Sequence, residues 1–294
     1  MEATKETTTK QDTGKFRKNT KDQFYTNVSV ATSCIQCLMT KLPYTKDYVW
    51  VEPSAGNGSF FHNIPSTIEK IGLDLEPMAN DIQQQDYLQW ELPLVLEDKQ
   101  IVVIGNPPFG RQSSLAKSFI TKSCEFATII AFILPKSFVK PSMFRIFDAK
   151  FHQICSIELE KNAFVINGSP HDVPCIFQIW QKMNTNREMD VKVEPRGFTY
   201  VKLTTGGNIG QYHIAFRRVG GLAGKCYMYA TTGNKFNIQT HYFIRFDDNV
   251  VPYMNCIIEK INSTIFPSNT VGPRSISKPE ANVVINHIIS TVMI

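Results

Sequence analysis

The sequence predicts an α/β fold: a mostly parallel sheet covered on both faces, followed by a smaller loop- and strand-rich region. Three observations carry this expectation. Short apolar, β-branched runs ending in turn residues recur at 48–51, 70–73, 101–104 and 129–134. The segments between them can hold crossover connections, notably 114–126. After Met183 glycine becomes dense (Gly206, Gly207, Gly210, Gly220, Gly221, Gly224) and helical periodicity nearly disappears until Tyr253. Alternating strand and crossover signals are the pattern of parallel strands with helices on their faces.

The elements follow in chain order. Residues 1–21 are rich in Thr, Lys and Asp with little apolar content, which predicts a disordered arm. A helix is expected from about 29 to 42, with Val30, Cys34, Cys37 and Leu38 at helical spacing. Strands are expected at the four runs above, and a helix over 114–126. Further strands at 154–159 and 175–180 are candidates for an antiparallel hairpin at one edge. A boundary is expected between 185 and 200.

Bulk properties exclude several classes. The chain has 294 residues, 43% hydrophobic and 19% charged, enough for one large core or a core plus a smaller companion. The apolar run from Ala127 to Pro135 is too short to cross a bilayer, and Met1–Lys10 carries no apolar signal region. No membrane partner is therefore expected, and a soluble intracellular protein is. The seven cysteines are odd in number and scattered, as reduced thiols are. Cys34 and Cys37 have a ligand-pair spacing but no second pair, so no metal is expected. Residues from Pro195 onward carry 10 Lys+Arg against 4 Asp+Glu, and residues 1–27 carry 6 against 4. That leaves −3 for residues 28–194 out of a total of +5. Basic ends around a mildly acidic middle suit a core flanked by polyanion-binding parts.

Two segments carry the chemistry. Glu52-Pro53-Ser54-Ala55-Gly56-Asn57-Gly58 directly follows a strand. Small and glycine residues there let the backbone pass close to a ligand at the carboxyl edge of a sheet, with a helix expected to follow. The second, Asn106-Pro107-Pro108-Phe109, again follows a strand. The prolines lock the backbone, and an Asn amide oxygen and a fixed carbonyl can both accept hydrogens from one NH₂ group. Phe109 can lie against a planar substrate. Two acceptors favour a pyramidal nitrogen whose lone pair points at an electrophile, and this needs no strong base.

These residues resemble motifs I and IV of the amino-methyltransferases, the fourth being (Asn/Asp/Ser)-Pro-Pro-(Tyr/Phe/Trp). Their order resembles the gamma-type adenine-N6 DNA methyltransferases, over roughly residues 20–182. The resemblance implies a Rossmann-like methyltransferase with a seven-stranded sheet and S-adenosylmethionine as cofactor. It implies a catalytic domain over 22–185 and a target-recognition region over 195–294. Gly72-Leu73-Asp74-Leu75-Glu76-Pro77 looks like motif II, implying that Asp74, with Glu76 as fallback, holds the cofactor ribose. Asp86 in Gln85-Asp86-Tyr87-Leu88 would bind the cofactor adenine, and Gln23-Phe24-Tyr25-Thr26 resembles motif X over its methionine end. The cofactor set is then Tyr25, Thr26, Glu52, Ser54, Ala55, Gly56, Gly58, Asp74, Asp86 and Asn106. Asn106, Pro107, Pro108 and Phe109 form the catalytic set.

The segment 132–138 resembles the Leu-Pro-x-x-(Phe/Leu) stretch after the fifth strand, and 172–180 stands where motif VIII would. The resemblance implies that Trp180 or Phe177 stacks on the far face of an extruded base, opposite Phe109. Arg217, Arg218 and Arg274, in loops 216–221 and 268–275, are candidate phosphate contacts. The expected partner is nucleic acid, DNA before RNA, with a homodimer or a partner subunit to complete recognition. Asn-Pro-Pro-Phe also occurs in cap-adjacent adenosine-N6 mRNA methyltransferases, and the motif serves glutamine-N5 methylation of release factors. The latter carry their extra domain before motif I, where this sequence has about fifty residues, which counts against that reading. A catalytically silent nucleic-acid-binding subunit is a further reading, which loss of Asn106 or of the glycine turn would have favoured; both are present.

Overall fold

The computed structural model describes residues 24–42, 48–166, 168–188, 193–202, 212–229, 236–267, 269–270 and 273–293. The expected arm over 1–21, together with Gln23, Gly206, Gly207, Gly210, Ser268, Val271 and Gly272, lies outside them. The chain divides into two compact units after residue 189.

The first unit opens with β1 (Tyr25–Thr26) and α1 (Val28–Lys41). Asn27 caps α1, its side chain accepting from the Ser29 N–H at 3.1 Å. The buried face is Ala31, Cys34, Ile35 and Leu38, while Val30 and Cys37 are only half-buried. The apolar stripe thus sits one residue round from the expected one.

The strands that follow are β2 (Tyr48–Glu52), β3 (Lys70–Asp74), β4 (Gln83–Gln84) and β5 (Gln100–Gly105). Then come α2 (Ser114–Phe126), β6 (Ile129–Pro135), α3 (Pro141–Phe144) and β7 (Phe151–Glu158). A hairpin of β8 (Phe164–Ile166) and β9 (Ser169–His171) precedes β10 (Cys175–Lys182). The large sheet has the order β4-β3-β2-β5-β6-β10-β7. The first five strands run parallel, and β10 inserts antiparallel between β6 and β7. This is a Rossmann-like α/β fold with a seven-stranded, mostly parallel sheet. The expected antiparallel pair is present, but β10 reaches inward to β6 as well as outward to β7. Every residue of β6 is buried, as are Ile101–Gly105 of β5 and Cys175–Trp180 of β10. Such runs leave no solvent face and read as continuous apolar stretches.

No α-helix follows the glycine turn after β2. Residues 59–69 form turns and a single 3₁₀ segment, Phe61–Asn63. Pro65, Ser66 and Thr67 give the chain little reason to continue a helix there. A separate small sheet joins β1 to β8 (Tyr25 opposite Val165, Thr26 opposite Phe164) and β8 to β9.

The second unit holds β11 (Phe198–Val201), β12 (Ile214–Arg217), β13 (Cys226–Met228) and β14 (His241–Phe246), in the antiparallel order β11-β14-β12-β13. The helices α4 (Met254–Ser263) and α5 (Lys278–Val292) close the chain, α5 starting at a Ser277–Glu280 capping box. Phe198, Ile214, Phe216, Ile244, Ile257, Ile261 and Ile285 share its core.

Candidate active site

Three neighbouring parallel strands end on one edge of the large sheet: β2 at Glu52, β3 at Asp74 and β5 at Gly105. The loops after such strands form the ligand crevice of open α/β sheets.

Behind Glu52 the chain turns tightly. Ala55 N–H donates to Leu73 O at 2.9 Å, and Gly58 N–H to Ala55 O at 2.7 Å. Gly56 and Gly58 take φ of +52° and +80°, a conformation that disfavours a Cβ. A Cβ on Gly58 would overlap the His62 ring, and one on Gly56 would stand 3.1 Å from the Tyr25 ring. Asp74 organises this turn with both carboxylate oxygens: Gly56 N–H donates to Oδ2 at 2.7 Å and Glu76 N–H to Oδ1 at 2.8 Å. Asp86 caps the 3₁₀ turn at 87–89, accepting from Leu88 N–H at 2.9 Å.

Asn106 follows β5. Its Nδ2 donates to the backbone carbonyl of Phe24 at 3.0 Å. The amide is thereby oriented, and Oδ1 is left buried with no hydrogen-bond partner among the described residues. An orphaned acceptor in a buried place is costly unless a ligand satisfies it. Ser54 Oγ donates to the Asn106 carbonyl at 3.1 Å, so the two motif loops are tied together. Glu52 is fully buried, its Oε2 also lacks a partner among the described residues, and burial holds its carboxyl well above the usual carboxylate range.

These loops enclose a cavity of about 480 Å³, the size of small-molecule and cofactor sites. Tyr25, Thr26, Glu52, Ser54, Ala55, Gly56, Asp74, Asp86, Asn106, Pro107, Pro108 and Phe109 all line it. Gly58 does not, and its place is in the turn that shapes the wall. Phe60, Leu115 and Phe119, which no motif singles out, add apolar lining.

No family model matches the chain, and no curated protein matches it. Solved structures do. A type I restriction-modification system methyltransferase subunit from Streptococcus thermophilus is 17% identical, over 55% of this chain and 45% of that one, with a TM-score of 0.42. This chain thus spans less than half of that subunit. An S-adenosylmethionine-dependent methyltransferase from Clostridium acetobutylicum is 7% identical, over 54% of this chain and 93% of that one, with a TM-score of 0.39. The 1,6-didemethyltoxoflavin-N1-methyltransferase of Burkholderia thailandensis, solved with S-adenosylhomocysteine, is 9% identical, over 54% of this chain and 80% of that one, at 0.41.

The stacking role expected of Trp180 or Phe177 does not survive. Both are buried and neither lines the cavity. The Trp180 ring stacks on Phe147 with centroids 4.0 Å apart, and its Nε1 donates to Gln178 Oε1 at 3.0 Å. The guanidinium of Arg187 lies over the same ring while donating to the carbonyls of Phe144, Phe147, Asp148 and Phe151. Trp180 is therefore the pivot of a packed core.

In the second unit the candidate arginines come together in part. Ile276 N–H donates to Arg218 O at 2.8 Å and Gly220 N–H to Arg274 O at 2.9 Å, around the Val219–Ser275 bridge. The Arg218 guanidinium lies 5.3 Å from the Tyr242 ring centroid, and Arg217 Nε donates to Val219 O at 3.2 Å. All seven cysteines are free; Cys34 is buried and Cys37 faces Cys155, the sulfurs 3.8 Å apart. Among the described residues no group of His, Cys, Asp or Glu could hold a metal ion. Among the same residues no helix is long and apolar enough to cross a membrane.

Proposed function

We propose that this chain is an S-adenosylmethionine-dependent methyltransferase acting on the exocyclic N6 of adenine in nucleic acid, DNA in the first place. The observation that carries the proposal is the orphaned Oδ1 of Asn106, a residue whose amide is held by Phe24 and which lines a substrate-sized cavity. The residues fit the cofactor. Acidic Asp74 at the end of β3 suits ribose hydroxyls, Asp86 suits an adenine edge, and the glycine turn gives close backbone approach. Bound S-adenosylmethionine supplies an electrophilic methyl group. Asn106 Oδ1 accepts one hydrogen of the substrate amine, and the fixed carbonyl beside it accepts the other. That geometry makes the nitrogen pyramidal and turns its lone pair away from the ring. Phe109 supports the ring face. Once the nitrogen is methylated its surplus proton is acidic, so no strong base is required. Arg217, Arg218 and Arg274 supply phosphate contacts in the second unit.

The test is transfer of labelled methyl groups to duplex DNA, single-stranded DNA, RNA and protein pools, with nucleosides identified by mass spectrometry and Asn106→Ala as control. N6-methyladenine in DNA, lost in the variant, is the expected result, and the same product in RNA alone would move the substrate to RNA. Label in protein alone would move the reaction to glutamine. Cofactor binding without transfer to any pool would call for a partner subunit; no cofactor binding would refute the proposal.

A further inference from the structure

Of the seven cysteines, Cys37 and Cys155 are brought together within the first unit, their sulfurs 3.8 Å apart. Cys37 stands in α1 beside the buried stripe of Cys34, Ile35 and Leu38. Cys155 stands in β7, the strand at one end of the large sheet, opposite Ile179 of β10. Both are half-buried, so a small solute can reach the pair. The other five are placed differently. Cys34, Cys175 and Cys226 are buried, Cys124 accepts from the Asp148 N–H at 3.5 Å, and Cys256 is exposed in the second unit.

Closing the contact to the roughly 2 Å of an S–S bond takes a shift of about 1.8 Å, which χ1 rotation of two side chains can share. Burial, and after it the neighbouring Cys155, hold the Cys37 thiol above the ordinary cysteine range, while Lys41 pulls it back. The pair therefore rests as two thiols and needs an oxidant to close.

We infer that Cys37 and Cys155 are a thiol modification site, which a peroxide converts to a disulfide that latches α1 to β7. One thiolate attacks a peroxide oxygen. The S–O bond forms as the O–O bond breaks, and the hydroxide released joins the proton that the thiol gave up. The second thiolate attacks the sulfenic sulfur so formed, making the S–S bond and expelling hydroxide, which takes the second proton. Two thiols lose two electrons, and one hydrogen peroxide is reduced to two waters. A dithiol reverses the bond by exchange.

The two cysteines are separated by 118 positions. The segment between them runs through β2, β3, β5 and β6 and carries both motif loops. Cross-linking so long a segment restricts the unfolded chain more than cross-linking a short one. Neither cysteine lines the cavity, so the latch holds the elements that build the site without entering it. It lies within the first unit and does not depend on which reaction the site performs.

The experiment treats the full chain with hydrogen peroxide, alkylates the remaining thiols under denaturing conditions, and maps tryptic peptides by mass spectrometry without reduction. A cross-link between peptides 22–41 and 151–161 is expected, assigned by fragmentation to Cys37 and not Cys34. The melting temperature is expected to rise by about 4–16 °C on oxidation and to return with dithiothreitol. Cys37→Ser and Cys155→Ser are each compared with their own reduced form, so any stability lost to the serine itself does not enter, and neither is expected to show the rise. A melting temperature that does not rise, an equal rise in either serine variant, or a bridge formed through Cys34 or Cys256 instead overturns the inference. So does oxidation of single thiols to sulfenic or sulfinic acid with the two peptides unlinked.

Discussion

Asp74→Asn is the sharpest test of how the glycine turn is built. The change is isosteric, but it replaces one acceptor oxygen by an NH₂ donor. In the protein both oxygens are occupied, by Gly56 N–H at 2.7 Å and Glu76 N–H at 2.8 Å. Asparagine can keep only one of these bonds, and its NH₂ group must face the other N–H. A hydrogen bond to a charged acceptor contributes about 1.5–3 kcal/mol. Glu76 lies in an exposed stretch where water can replace the bond, so the retained oxygen should stay on Gly56. At about 2–4 °C per kcal/mol for a unit of this size, the melting temperature should fall by about 3–12 °C. If the carboxylate also receives the cofactor ribose, affinity for S-adenosylhomocysteine should fall by about 10- to 150-fold. Differential scanning fluorimetry gives the first quantity and isothermal titration calorimetry the second. A melting temperature within about 1 °C of wild type, with unaltered affinity, would refute the placement of Asp74 at the centre of this turn. A large thermal shift with unaltered affinity would refute only the ribose role.

Asn106→Ala should lower the rate of methyl transfer by about 10²–10³-fold in single-turnover assays. For Glu52, burial raises the folded-state carboxyl above its unfolded value of about 4.3, so the folded chain holds a proton that the unfolded chain releases. Stability should therefore fall as pH rises from that value through the folded one, and Glu52→Gln should flatten this slope in urea titrations across pH. Gly58→Ala should lose about 1–2 kcal/mol from its left-handed backbone alone, with a further loss as the new methyl forces the His62 ring off Asp81; chemical denaturation measures it. Trp180→Ala should cost about 3–5 kcal/mol of stability, and the surviving folded fraction should transfer methyl groups at the wild-type rate.

Much of the frame was legible because local signals agreed with tertiary demands. The run 114–126 carries an apolar stripe between a glycine and the next strand, and α2 occupies those residues. The runs at 48, 101 and 129 are strands because β-branched residues suit positions buried on both faces. The helix expected after Gly58 failed for a local reason: Phe60 and Phe61 look like the start of an apolar stripe, yet Pro65 and its polar neighbours end it within one turn. Trp180 was misplaced because β10 is buried on both faces, so alternation along it cannot separate a cavity-facing ring from a core one. Of the cavity-lining positions, those in the two strand-end motifs could be named because a motif specifies chemistry at fixed spacing. Leu115 and Phe119 reach the cavity from a helix whose spacing only says that one face is apolar. The His171–Phe24–Phe109 contact is formed by residues far apart in sequence, and only the folded hairpin brings them together.

The pairing of Thr26 with Phe164 has a consequence for synthesis of the chain. The strand that carries Tyr25 and Thr26 leaves the ribosome early, but its partner does not exist until residue 164 has been translated. At about 5–20 residues per second, that wait lasts about 7–28 s. Until then the Asn106 amide has no carbonyl from Phe24 to orient it, and the cavity lacks the wall that Tyr25 and Thr26 provide. The insertion of β10 between β6 and β7 delays closure of the large sheet further, to residue 182. A nascent chain truncated anywhere before the hairpin should leave its apolar strand edges open to chaperones, and ligand binding can reward only the finished unit.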